Sequence, residues 1–288
     1  MNYSFDSFCS GNYDWDSAEE RHTSPWIIYD RSNKDTKTTK DDVDRVMQYS
    51  NTNVVKVSGL TQDSFEYFIS TYGTQLKAID FFKNKLVEDW SMLGSLPQLK
   101  YVKFFLNQRI DRFWDMSGNT SLIGICIEDF SRLKNVEMVN TAPALETFEI
   151  GNAIWNRAEI DSFTSLAGSP IKHLGFHGRN ILDKDLTFLS SLPNLETYDF
   201  PTNLYTTEQV AWIAANFPHL SGFAIAPYTG YPSERHPEGG GWIVGKRKPY
   251  LEFQGNEDRI KRYEEAFEVL KRKYKDVPYY ELFGLGQN

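Results

Sequence analysis

Cysteine is scarce in this chain: Cys9 and Cys126 are the only two among 288 residues. The disulfide frameworks of small extracellular domains use more, at regular spacing, so none is written here. Two free thiols in a reducing compartment are expected, with a single bridge as the alternative. Positive charge is also in deficit. Lys and Arg total 31 against 39 Asp and Glu, a net charge of −8. That balance excludes the broad basic stripe that nucleic acid or an anionic membrane requires, and it favours a basic partner. No apolar run approaches the ~18 residues of a membrane span. The opening stretch, MNYSFDSFCSGNYDWDSAEE, has neither a basic n-region nor an apolar h-region. A cytoplasmic location is therefore expected.

What is present is an ordinary globular composition, 40% hydrophobic and 24% charged, with an aromatic content of 15%. It suffices for a sizeable core. An internal period runs through it. Segments of the form L-x-x-Φ-x-Φ, with Φ apolar, start at Leu76, Leu99, Leu122, Leu145, Ile171, Leu195 and Leu220. A weaker copy starts at Thr52. Besides these leading residues, two further apolar columns are in phase. One holds Val55, Ile79, Val102, Ile125, Phe148, Leu174, Tyr198 and Phe223. The other holds Val57, Phe81, Phe104, Ile127, Ile150, Phe176, Phe200 and Ile225. Lying two residues apart, they share one face of a strand. Proline recurs two residues before the next start, at Pro97, Pro143, Pro193 and Pro218, and asparagine at the ninth position, as Asn84, Asn107 and Asn203.

This pattern resembles the leucine-rich-repeat family, whose repeats read L-x-x-L-x-L-x-x-N with a period of 20–29 residues. The resemblance covers roughly residues 52–227, about eight repeats. It departs at Phe130, Ala153 and Arg179, where the ninth-position asparagine is missing. It implies an α/β solenoid: a curved parallel sheet on the concave side and helical or irregular returns on the convex side. Stacked repeats bury what one repeat cannot, and the ends need caps. Two returns, Asp183–Leu192 and Thr206–Phe217, read as helical.

Residues 1–51 are expected to form the N-terminal cap, with a strand at Trp26–Tyr29 and a helix from Thr39 to Ser50. Residues 228–288 are read as a Gly- and Pro-rich loop excursion to Gly255, then a capping helix, Glu257–Lys275, with Asn256 as its N-cap. The helix carries acids at its start and Lys271, Arg272 and Lys273 at its end, which suits the helix dipole.

Chemistry is thin. Gly240 to Lys246 spells G-x-x-x-x-G-K, but Arg247 replaces the Ser or Thr that would hold magnesium, so a basic turn is expected. His173 and His177 stand four residues apart on one strand, about 13 Å, too far to share a zinc ion. Cys126 is expected at an exposed strand position as a bland small residue. No catalytic residue, metal or cofactor is expected.

The resemblance implies that the concave face is the working surface. Its early copies carry Lys56, Lys77, Lys83, Lys100 and Lys103 against Asp80, with Phe82, Tyr101 and Phe105 among them. Its later copies carry Glu128, Asp129, Glu146, Glu149, Glu196 and Asp199 against Lys172. A face that is basic and aromatic early and acidic late suits a protein partner with a basic patch. The partner-contacting set is Phe82, Lys100, Tyr101, Lys103, Phe105, Glu128, Glu146, Glu149, His173, His177, Glu196 and Asp199. Small acidic chains of this style look like immunity or antitoxin proteins that mask a partner. A scaffold or adaptor, and an enzyme with its site in residues 228–255, are the alternatives.

Overall fold

The computed structural model describes residues 5–10, 37–48, 53–155, 158–230 and 239–284. The expected strand at Trp26–Tyr29 lies outside them. Two helices come first in the chain, α1 (Phe5–Cys9) and α2 (Lys40–Met47). Strand β1 (Val54–Ser58) and helix α3 (Gln62–Tyr72) follow. Then come β2 (Ala78–Phe82), β3 (Tyr101–Phe105), β4 (Gly124–Glu128) and β5 (Thr147–Gly151). The short β6 (Glu159–Ile160) and β8 (Asn180–Ile181) pair with each other and flank β7 (His173–His177), after which comes β9 (Thr197–Asp199).

Seven strands form one parallel sheet in the order β1-β2-β3-β4-β5-β7-β9. The register repeats the sequence columns: Val55, Ile79, Val102, Ile125, Phe148, Leu174 and Tyr198 are paired in a row. Every one of them is buried. Apolar side chains two residues apart therefore load one face of the sheet, and the returns close over it. Within this core Trp90 stands edge-on to Phe81 and Phe104, at 4.8 and 4.9 Å, while those two rings stack at 5.2 Å. Such aromatic pairs add about 0.5–1.5 kcal/mol each beyond area burial.

Asparagines tie successive layers together. Asn84 accepts from Leu60 N–H at 2.9 Å and donates to the Val57 carbonyl at 3.0 Å. One layer on, Asn107 accepts from Asn84 N–H at 2.8 Å and donates to the Phe81 carbonyl at 2.6 Å. In the next layer, where the ninth position is Phe130, Asp129 takes over. It is buried and accepts from the N–H groups of Ile154 and Trp155, both at 2.9 Å. This corrects its assignment to the open face. Asn203 is exposed and outside this ladder.

Among the described residues the returns are α-helical only at the two ends, in α3 and in α4 (Thr207–Asn216), each opened by a threonine capping box. Between them most carry 3-10 turns, among them Ser91–Ser95, Val139–Thr141 and Thr187–Ser191, where a helix was expected over Asp183–Leu192; the β3–β4 return holds only bends and turns. Local side-chain bonds explain the difference. Asp89 accepts from Ser91 N–H, Asp115 from Ser117, Asn135 from Glu137 and Asp185 from Thr187. Such i to i+2 bonds compete with helix formation, and the tighter 3-10 turn spans more length per residue.

The ends differ from expectation in three places. Helix α2 forms behind Thr39, whose side chain caps Asp42 N–H, and it packs on α3; Thr38 Oγ1 donates to the Ser58 carbonyl at 2.6 Å. By contrast α1 does not cap the end but lies on the outer sheet face. The eighth copy does not form a strand: Ser221 makes an isolated bridge to Thr197, and Phe223, assigned to the core column, is 41% exposed. A Cβ on Gly222 would stand 2.1 Å from the Tyr198 carbonyl oxygen, so the chain there runs too close to β9 for a side chain. Finally, the expected loop excursion holds an antiparallel sheet of β10 (Tyr228–Gly230), β11 (Gly240–Ile243) and β12 (Tyr250–Glu252).

The capping helix forms as α5 (Glu257–Tyr274) and packs on α4, and α6 (Tyr279–Phe283) follows. Asn256 makes no side-chain cap. The anchor comes from the helix's far end: Trp212 Nε1 donates to the Val277 carbonyl at 2.8 Å, and Gln209 Nε2 to the Tyr279 hydroxyl at 2.6 Å. Tyr279 in turn donates to the Lys184 carbonyl at 2.6 Å.

Candidate binding surface

The face of the sheet opposite the core is built from alternate strand residues. Its central row is Lys56, Asp80, Lys103, Cys126, Glu149, Gly175 and Asp199, paired strand to strand. One flank carries Phe82, Phe105, Glu128, Gly151 and His177; the other carries Tyr101, Gly124, Thr147, His173 and Thr197. The predicted contact residues on the strands therefore share one surface, while Lys100, Glu146 and Glu196 stand exposed just before strands β3, β5 and β9.

The early half is less basic than its lysine count suggests. Lys56 pairs with Asp80 at 3.3 Å and Lys103 with Glu128 at 3.3 Å. The aromatic pair Phe82 and Phe105 stacks at 5.5 Å, with Lys56 Nζ 4.7 Å and Lys83 Nζ 4.9 Å from the Phe82 ring centre. Cations over aromatic faces are favoured electrostatically. Much of the adjoining surface is covered. Helix α1 sets Phe5 and Phe8 each 5.6 Å from the Tyr101 ring and buries Phe8 beside Ala78. Cys126, expected to be exposed, is 4% exposed, because α1 lies across it. No periodicity signals this, since α1 lies outside the repeats.

The late half is open. Glu149 and His177 meet at 3.0 Å across Gly175, where a Cβ would stand 2.7 Å from the Glu149 carboxylate. Glycine there leaves room for the pair. The Glu149 bond, reinforced by its charge and those of Asp199 and Glu128, raises the His177 pKa above its ordinary value of 6.5 against the opposing effect of burial. Asp199 accepts from Phe223 N–H at 2.8 Å. These residues line a cleft of about 550 Å³ whose walls include Phe223, 41% exposed, and Trp242, 44% exposed. Outside it, Glu146 pairs with Lys172 at 2.8 Å, which holds the lysine pKa up, and His173 stands exposed. Phe223 was missed as a surface residue because its spacing matches the core column; Gly222 before it was the available signal.

Among the described residues no group of three or more His, Cys, Asp or Glu side chains could hold a metal ion. After Lys246 the chain turns through Arg247 at φ 58° and enters β12, with no helix N-terminus to receive a phosphate. Of the residues that an enzyme site in 228–255 would draw on, Lys246 is described, whereas His236 and Glu238 lie outside the described residues. Among the described residues no helix is long and apolar enough to cross a membrane. No protein-family model matches the chain, and no curated protein matches it in sequence.

Proposed function

We propose that the protein is a leucine-rich-repeat solenoid acting as a non-catalytic protein-binding module, which presents the late half of its outer sheet face to a basic patch on a partner. One observation carries this reading: the cleft that sets Glu149 and Asp199 between the exposed rings of Phe223 and Trp242. Carboxylates beside exposed aromatics offer a cationic side chain both charge and a π-face. Seven parallel strands in chain order, in register with the repeat, support the solenoid. Masking a partner in the manner of an immunity or antitoxin protein is the role such a surface suits, in the cytoplasm and without a cofactor.

Exchange of charge tests it at residues whose side chains do not hold the fold. Glu146 and Glu196 are exposed, whereas Asp199 secures the Phe223 N–H and is a poor choice for reversal. A partner captured by the intact protein and lost by the double variant Glu146→Lys/Glu196→Lys, with an unchanged circular dichroism spectrum, is the expected result. Its affinity should also fall with salt, since exposed charges are screened beyond ~8 Å at physiological ionic strength. Equal capture by both proteins at all salt concentrations refutes the reading.

A further inference from the structure

The chain's two cysteines meet on the outer sheet face, where nothing in the repeat requires either of them. Cys126 is the middle residue of β4 and pairs in register with Lys103 of β3. The Lys103 ammonium, in turn, donates to the carbonyl of Cys9. Cys9 is the last residue of α1 and packs against the small apolar cluster of Phe8 and Ala78. A Cβ on Gly124, two residues before Cys126, would stand 2.2 Å from the Phe5 ring, so glycine at that position lets α1 lie flat on the sheet. The neighbouring Cys9 side chain, then burial, pushes the Cys126 thiol well above its ordinary value. Cys9 is half-buried and is the thiol that solvent reaches first.

We propose that Cys9 and Cys126 are a reversible disulfide site that fastens α1 across β3 and β4. The oxidant is a small-molecule disulfide of the glutathione class. The Cys9 thiolate attacks one sulfur of that disulfide, forming a mixed disulfide and expelling one small thiolate. Cys126 then gives up its proton, and its Sγ attacks the Cys9 Sγ and expels the second. Two protein thiols are oxidised, the small disulfide is reduced to two thiols, and the two protons leave with them. The Lys103 ammonium, paired in register with Cys126 and bonded to the Cys9 carbonyl, offsets part of the rise in the Cys126 thiol. Closed, the bridge withholds Tyr101 and Lys103 from any partner; reduced, α1 is held only by packing and the Lys103 hydrogen bond to the Cys9 carbonyl, and can be displaced. This holds whether or not the late half of the face binds a basic protein.

The test equilibrates the full-length protein in glutathione buffers of graded potential, traps free thiols by alkylation and maps the peptides. Both thiols should disappear together, with a Cys9–Cys126 linked peptide in monomeric protein. Amine labelling of Lys103 should fall in the oxidised form and rise in Cys9→Ser. Phe8→Ala, which removes the buried anchor of α1, should shift the equilibrium toward the thiols by about tenfold or more, equivalent to 30 mV or more for this two-electron couple. Two thiols that stay alkylatable in the most oxidising buffer, or disulfides found only between molecules, overturn the proposal. So does a Phe8→Ala variant that closes the bridge as readily as the parent.

Discussion

Replacing Asn107 by alanine should cost far more than replacing Asn203, although both occupy the same place in the repeat. Asn107 is buried, and its side-chain oxygen is the acceptor for Asn84 N–H at 2.8 Å, while its amide donates to the Phe81 carbonyl at 2.6 Å. Alanine leaves a buried N–H orphaned, at ~1–3 kcal/mol, and deletes a donor bond of ~1 kcal/mol, together about 2–4 kcal/mol. The loss propagates, because Asn84 holds the preceding layer through Leu60 N–H and the Val57 carbonyl. Asn203 is exposed, and its replacement should stay within roughly 0.5 kcal/mol. Urea unfolding followed by tryptophan fluorescence reads the difference. With a slope of roughly 3 kcal/mol/M, the midpoint of Asn107→Ala should fall by about 1 M with the slope unchanged. Asn107→Asp is an informative third variant, since a carboxylate keeps the acceptor and loses the donor. If Asn107→Ala and Asn203→Ala unfold at the same midpoint, the layer-tying role assigned to Asn107 is wrong.

The His177–Glu149 pair carries a pH dependence whose sign follows from the raised histidine pKa. Its stabilisation is fully present below about pH 6.5, the ordinary value, and is lost as pH rises through the higher folded value. Proton NMR of the His177 ring should show a midpoint above 6.5 in the parent and a lower one in Glu149→Gln; an unmoved midpoint removes Glu149 as the cause. At the C-terminal end, Tyr279→Phe deletes the hydroxyl that joins Gln209 to the Lys184 carbonyl. Leaving the buried Gln209 amide without that partner should cost ~1–3 kcal/mol and speed amide exchange over residues 274–283 more than in β3; equal protection in the two regions of the variant and parent contradicts the anchoring role.

The parallel sheet was legible in the sequence because its cause is local and repeated. Each copy supplies an alternating apolar pair, and the same phase in neighbouring copies leaves one register that buries Ile79 on Val102 and Phe81 on Phe104. Helices α2, α4 and α5 were legible for the same reason, from apolar spacing written along each, although the Asn256 cap expected for α5 is not made. Where two local signals competed, pattern alone misled. Aspartates at 89 and 185 turned their returns into 3-10 segments, and Gly222 took Phe223 out of its column and onto the surface. Asp129 filled the gap left by Phe130 from one position earlier, which a fixed-position ladder does not reveal.

The candidate surface shows the same division. That Glu149, His177 and Asp199 share a face follows from strand alternation, and sequence alone determined it. That Glu149 reaches His177 depends on the empty space over Gly175, and the cleft depends on Trp242 arriving from a separate sheet. Above all, α1 lies outside the repeat, and its sequence carries no sign of where it docks. Only the tertiary structure placed Phe5, Phe8 and Cys9 over Gly124 and Cys126, because docking between segments so distant along the chain is decided by complementary shape and buried area, which no periodicity encodes.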